Sequence, residues 1–79
     1  MNEKELQTCE DIRQYISSFK HLGALTIMRG IYKQILEDKK TLSNEEFDKL
    51  YFNCKYTENE LNYMVNMIEE RIKKLKFHH

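Results

Sequence analysis

Residues 57–75 read TENELNYMVNMIEERIKKL, and this stretch decides the fold class because it contains a complete helix specification. Thr57 and Glu60 match the capping-box pattern, in which each side chain accepts a hydrogen bond from the other residue's amide. Apolar residues then recur at helical spacing and must share one side of an α-helix: Leu61, Val65, Ile68, Ile72 and Leu75. We therefore predict a helix from Glu58 to about Lys76.

The length and composition of the chain indicate one small helical domain. Its 79 residues lie near the lower limit at which a single core supports independent folding. It contains no proline and only two glycines, so tight β-turns lack their usual residues. We predict an all-α fold, a small bundle of three to four helices in a single domain spanning residues 1–77. His78 and His79 are set aside as a tag remnant.

Two further helices are predicted in the first half of the chain. The first runs from Glu3 to about Leu22, begins after a cap at Asn2 and ends at Gly23 in a left-handed conformation. The second, roughly residues 24–39, is apolar over a wide arc, so we expect it to be the central element of the bundle. Gly30 in its interior costs about 1 kcal/mol relative to alanine, which suggests a bend or the close approach of another helix.

A second capping box opens a short third helix. Ser43 and Glu46 occupy the two box positions, and the helix is expected from Asn44 to about Asn53. The formal net charge is zero, but acids concentrate between residues 43 and 60 whereas bases crowd the end of the chain. Acids at helix starts and bases at helix ends interact favourably with the helix dipoles, which explains most of this uneven charge distribution. The alternative is an acidic patch that faces a partner.

No pattern in the sequence points to catalysis, a cofactor or a metal. Nucleophilic catalysis needs a base beside a nucleophile, and no such pair and no glycine-rich phosphate loop stand out. Cys9 and Cys54 are isolated from other thiols and from histidines at ligand spacing, so neither a disulfide nor a zinc site is expected. No apolar run is long enough for a membrane span, and the first residues lack the basic and apolar regions of a signal peptide. We expect a cytoplasmic protein without enzymatic activity.

Two features suggest a surface for a protein partner. Aromatic residues cluster between positions 47 and 63, and tyrosine combines a large contact area with a low entropic cost at binding surfaces. The side of the last helix opposite its apolar stripe carries asparagine and tyrosine, where lysine and glutamate are usual. The simpler explanation is that the aromatic residues complete a small core and that the biased composition supplies the asparagines. The candidate partner-binding residues are Phe52, Tyr56, Asn59, Asn62, Tyr63 and Asn66.

The leading hypothesis is a small protein-binding regulator or inhibitor, antitoxin-like or from a phage or mobile element, with homodimerisation as a separate prediction. Lysine, asparagine and isoleucine are abundant, as in AT-rich coding sequences of low-GC bacteria and their phages. The alternative is a DNA-binding helix-turn-helix regulator whose recognition helix starts at Glu58. Acids at the start of that helix argue against it, because DNA affinity depends on cationic contacts to phosphate. A third hypothesis is that the acidic segment mimics nucleic acid.

Overall fold

The computed structural model describes residues 2–77 and confirms a small all-α bundle. No strand occurs among these residues, and none of their helices is long and apolar enough to cross a membrane. His78 and His79, set aside above as a tag remnant, lie outside the described residues. The helices are α1 (Glu3–Ser17), α2 (Leu22–Thr41), α3 (Asn44–Leu50) and α4 (Glu58–Phe77).

The starts of α1 and α3 follow the predicted caps. The Asn2 side chain accepts a hydrogen bond from the Glu5 amide at 2.8 Å. At α3 the Ser43 hydroxyl accepts from the Glu46 amide and the Glu46 carboxylate accepts from the Ser43 amide, both at 3.1 Å. The hydrogen bonds with the backbone and side chain of Ser43 lower the pKa of the Glu46 carboxyl group. Helix α3 ends at Leu50, three residues before the predicted end.

The capping box at the start of α4 is also formed, and it ties this helix to α1. The Glu60 carboxylate accepts from the Thr57 amide at 2.8 Å, and the Thr57 hydroxyl accepts from the Glu60 amide at 3.2 Å. The Thr57 hydroxyl also donates to the Glu5 carboxylate at 2.6 Å, which lowers the pKa of Glu5. Glu60 is 4% exposed whereas Thr57 is exposed, so this box lies where the core meets the surface.

The predicted end of the first helix is wrong, whereas the predicted boundary near Leu22 coincides with the start of α2. Helix α1 ends at Ser17, and Gly23 lies in the first turn of α2 with a negative φ, so no left-handed glycine terminates α1. The hydroxyls of Ser17 and Ser18 donate to carbonyls of the preceding turn, which favours a helix end there. The guanidinium of Arg71 then donates to the Phe19 carbonyl at 2.7 Å and holds the connecting segment against α4.

The central helix is α4, which corrects the expectation that α2 would occupy the centre. Helix α4 packs against both α1 and α2, whereas no Cα atom of α1 lies within 8 Å of one in α2. The reason is that α4 buries a broader face than its predicted stripe, since Met64 is buried beside Leu61 and Ile68. The wide apolar arc of α2 is only partly used, because Ile27 and Ile31 remain exposed.

The core consists of two adjoining clusters along α4. Between α1, α2 and the middle of α4 lie Ile12, Ile16, Leu25, Met64 and Ile68. Towards α3, the buried residues are Leu36, Leu61 and Val65. Helix α3 contacts α2 alone, where the ammonium group of Lys39 lies 4.5 Å from the centre of the Phe47 ring. Arg29 and Glu69 pair at 3.2 Å across the α2–α4 contact.

Candidate binding surface

The separation of α1 from α2 leaves an open groove over the middle of α4. Side chains of both helices form its walls, and α4 and the segment that precedes it form its floor. This part encloses a cavity of about 290 Å³. A second cavity of about 360 Å³ continues it towards the α3–α4 connection. We define the groove by its principal residues, Ile12, Tyr15, Met28, Tyr32, Ile35, Leu50, Phe52, Tyr56 and Met64.

Two tyrosines join the two cavities. Tyr32 and Tyr56 line both of them and pack against the core, so each presents one side of its ring to the core and another to the groove. Burial raises the pKa of the Tyr32 phenol, which therefore stays neutral at physiological pH and can donate a hydrogen bond. The groove thus consists of two adjacent apolar recesses with polar groups between them.

The far end of the groove depends on how the α3–α4 connection is held. The Tyr51 hydroxyl donates to the Asp38 carboxylate on α2, and the Cys54 amide donates to the Tyr51 carbonyl at 2.8 Å. These bonds fix residues 51–54 against α2. Phe52 consequently projects from the turn with 78% of its surface exposed, although phenylalanine is usually buried. An exposed aromatic residue beside an apolar recess is typical of a binding site.

The groove is almost uncharged. Of the residues that line the 290 Å³ cavity, Asp11 is the one with a formal charge, and it lies on the α1 wall beside Thr8 and Tyr15. The lining of the 360 Å³ cavity contains no acidic or basic residue. An occupant must therefore be mainly apolar, and a cation is favoured only at the α1 rim.

The structure divides the six candidate residues predicted from the sequence. Phe52 and Tyr56 lie in the groove. The asparagines at 59, 62 and 66 are exposed on the side of α4 opposite its buried stripe, as predicted, but none of them lines the groove. Tyr63 is half-buried and packs against the core cluster of α1 and α4. The six residues therefore do not form a single surface.

Sequence reasoning missed the walls of the groove. Tyr15 on α1 is 59% exposed, and Met28 and Ile35 on α2 are half-buried around Tyr32. A signal was present, since apolar residues on both helices extend beyond the stripe that one packing partner can cover. On α2 this second line is Ala24, Met28, Ile31 and Ile35.

The geometry around α3 and α4 differs from that of a helix-turn-helix. That motif packs two helices against each other across a turn of three or four residues. Here residues 51–57 connect α3 to α4, and no Cα atom of α3 lies within 8 Å of one in α4. Glu58 and Glu60 occupy the first turn of α4, where a recognition helix approaches phosphate.

The titratable groups of residues 2–77 do not assemble into a metal site, because no three His, Cys, Asp or Glu side chains converge. Cys9 and Cys54 are free thiols, and burial raises the pKa of Cys9, which disfavours the reactive thiolate. Comparison of the chain with protein-family models, with curated proteins and with solved structures gives no match.

Proposed function

We propose that this protein is a small non-enzymatic regulator or inhibitor that binds another protein by holding an amphipathic helix of it in the groove. The observation that carries the proposal is the open position between α1 and α2 above α4. Three helices of a bundle are in place there, and the position of a fourth is empty over the two recesses. Helix-in-groove recognition uses such a surface, with anchors one and two turns apart on the bound helix.

The groove also determines the chemistry expected of the partner helix. Each recess is large enough for one apolar or aromatic anchor, and such anchors supply most of the binding energy at protein interfaces. A basic residue on the partner is favoured next to Asp11, because no cation lines that recess. Phe52 is expected to fold over the end of the bound helix, since it is exposed and lies at the rim.

Site-specific photo-cross-linking in the native host tests the proposal. A photoreactive phenylalanine analogue replaces either Phe52 at the groove or Asn66 on the outer side of α4, and cross-linked proteins are identified by mass spectrometry. Both positions are exposed, so neither replacement disturbs the core. We expect a specific partner from position 52. A partner cross-linked from position 66 and not from 52 would move the binding surface to the asparagine face.

The purified partner then allows a quantitative comparison by calorimetry. Phe52→Ser and Tyr15→Ser alter exposed groove residues and are expected to weaken binding by at least about tenfold each. Asn62→Ser and Leu6→Ser change equally exposed positions outside the groove and serve as matched controls. Equal losses in the groove and control variants would contradict the proposal.

The regulatory role and cellular source remain part of the proposal. The two free thiols fit a reducing, cytoplasmic setting. The composition rich in lysine, asparagine and isoleucine supports a phage or mobile-element source. A partner that is itself an enzyme or a toxin, and that loses activity in the complex, would identify the protein as an inhibitor.

A further inference from the structure

The outward face of α2 carries no charge over its first half, although a helix face opposite the core is normally rich in charged residues. It lies opposite the buried residues Leu25 and Leu36. Ile27 and Ile31 on it are 66% and 52% exposed. We call this surface the α2 face and define it by Gly23, Thr26, Ile27, Gly30, Ile31 and Gln34.

Gly30 at the middle of the α2 face has no explanation within the chain. Glycine in a helix interior costs about 1 kcal/mol relative to alanine. A Cβ atom added to Gly30 would meet no atom of residues 2–77 within 4 Å, and its φ is not positive. Neither close packing inside the monomer nor backbone conformation therefore requires glycine here. Close approach of a second helix from outside would require it.

Two charged residues near the ends of the α2 face, Lys20 and Glu37, are complementary to each other. Lys20 and His21 immediately precede the helix, its first turn has no acidic residue, and His21 makes no side-chain cap bond. Glu37 is exposed at the other end of the same side. The last turn of α2 carries Lys39 and Lys40, but at the helical spacing both point to sides other than that of Glu37. A second α2 laid antiparallel on the first would bring each Glu37 towards the basic, uncapped start of the other helix. A parallel arrangement would bring like charges together.

We propose that a second copy of this chain covers the α2 face, as an antiparallel α2–α2 pair on a twofold axis. With the axis midway between Ile27 and Ile31, Ile27 of each copy lies opposite Ile31 of the other, and the four side chains form an apolar centre. Gly30 lets the two helices approach closely, and Lys20 of each copy lies near Glu37 of the other. The interface is self-complementary, as a twofold dimer requires.

The area of this contact sets the expected affinity. A helix of 20 residues is about 30 Å long and about 10 Å wide. About an axis midway between Ile27 and Ile31 the two helices overlap over residues 22–36, about three quarters of that length, so the contact buries roughly 900 Å² in total. Interfaces of that size are typical of weak, transient complexes, and the dimer is expected to dissociate in the micromolar range. This pairing is separate from the groove, and its test needs only the purified chain.

Sedimentation equilibrium of the full chain between about 1 µM and about 500 µM tests the proposal. The average mass should rise from 9.7 kDa to twice that value with increasing concentration. Ile31→Glu should raise the dissociation constant by at least about tenfold. Leu6→Glu is the matched control, because Leu6 is a similarly exposed apolar residue at 56% but lies on α1, and it should leave the equilibrium unchanged. A wild-type chain that stays monomeric, or equal effects of the two variants, would overturn the proposal.

Two further variants test the geometry of the pair. Lys20→Glu should weaken the dimer, and the double exchange of Lys20→Glu with Glu37→Lys should restore it, because the two charges face each other only in the antiparallel arrangement. Gly30→Ala should weaken dimerisation several-fold while it stabilises the dilute monomer. Failure of the charge exchange to restore the dimer would refute the antiparallel pairing. A tighter dimer in Gly30→Ala would refute close approach at Gly30.

Discussion

The capping boxes at the starts of α3 and α4 permit a matched test of how burial changes the contribution of one hydrogen bond to the free energy of unfolding. Glu60 and Glu46 each accept from the amide of their helix-capping residue, at 2.8 and 3.1 Å. Glu46 is exposed, whereas Glu60 is 4% exposed. We predict that Glu60→Ala lowers the free energy of unfolding by about 2–3 kcal/mol and that Glu46→Ala lowers it by about 0.5–1 kcal/mol.

The difference follows from what replaces the lost carboxylate. At Ser43 water can bond the released amide, so only the net value of a capping interaction is lost, about 1 kcal/mol or less. At Thr57 the bond is partly shielded, and an unsatisfied buried amide costs about 1–3 kcal/mol. The loss of the buried γ-methylene group of Glu60 adds about 0.8 kcal/mol. Glu60→Gln keeps an oxygen acceptor and is expected to cost less than Glu60→Ala.

Urea denaturation followed by circular dichroism measures these differences, at a protein concentration low enough to keep the chain monomeric. For a domain of this size, a loss of about 2 kcal/mol corresponds to a fall in Tm of roughly 8–16 °C. Equal losses for Glu60→Ala and Glu46→Ala would refute the reasoning, because burial would then have no influence on the capping bond. A larger loss for Glu46→Ala would refute it as well.

Three further predictions concern pH, the connecting segment and the core. Hydrogen bonds from Arg13 lower the pKa of Glu10 from 4.5 to about 2. The contribution of the Glu10 carboxylate to stability is therefore present above pH 4.5 and is lost as the pH falls towards 2. Glu10→Gln should flatten that part of an acid-denaturation curve. Arg71→Gln removes the charged donor to the Phe19 carbonyl and should cost about 1.5 kcal/mol in urea denaturation, with faster amide exchange in residues 18–21. Ile68 has no exposed surface, and Ile68→Ala should cost about 3 kcal/mol in the same denaturation assay.

The sequence predicts helix starts in this chain better than helix ends. All three side-chain caps act over three residues, so their geometry follows from the local sequence. The end of α1 is different, because Arg71 holds the Phe19 carbonyl from a position 52 residues away. Gly23 matches the pattern of a terminating residue, but tertiary contacts allow α2 to begin one residue before it. A glycine pattern alone carries no information about such distant contacts.

The candidate surface was only partly predictable for a related reason. Helical periodicity correctly placed Asn59, Asn62 and Asn66 on the exposed side of α4, since that depends on one helix alone. The groove depends on how far α1 stands from α2, which no local pattern specifies. It results from both helices packing on the broad face of α4 while no Cα atom of one comes within 8 Å of the other. Residues such as Tyr15 and Tyr32 become binding candidates only once that separation is known.

The same separation links binding to stability in this small domain. The two core clusters are built along α4 and include Ile12 and Met64 of the groove, but the exposed groove residues Tyr15 and Phe52 belong to neither cluster. A partner that binds only the folded chain stabilises it, by about 2.7 kcal/mol when present at a hundred times its Kd. Polar substitutions at exposed groove residues such as Phe52 should therefore leave the isolated chain as stable as before but reduce the stabilisation by the partner, to about 1.4 kcal/mol for a tenfold loss of affinity. Core substitutions lower the stability of the isolated chain but leave the stabilisation by the partner unchanged as long as the Kd is unchanged. Measuring unfolding with and without partner therefore separates residues that bind from residues that only hold the fold.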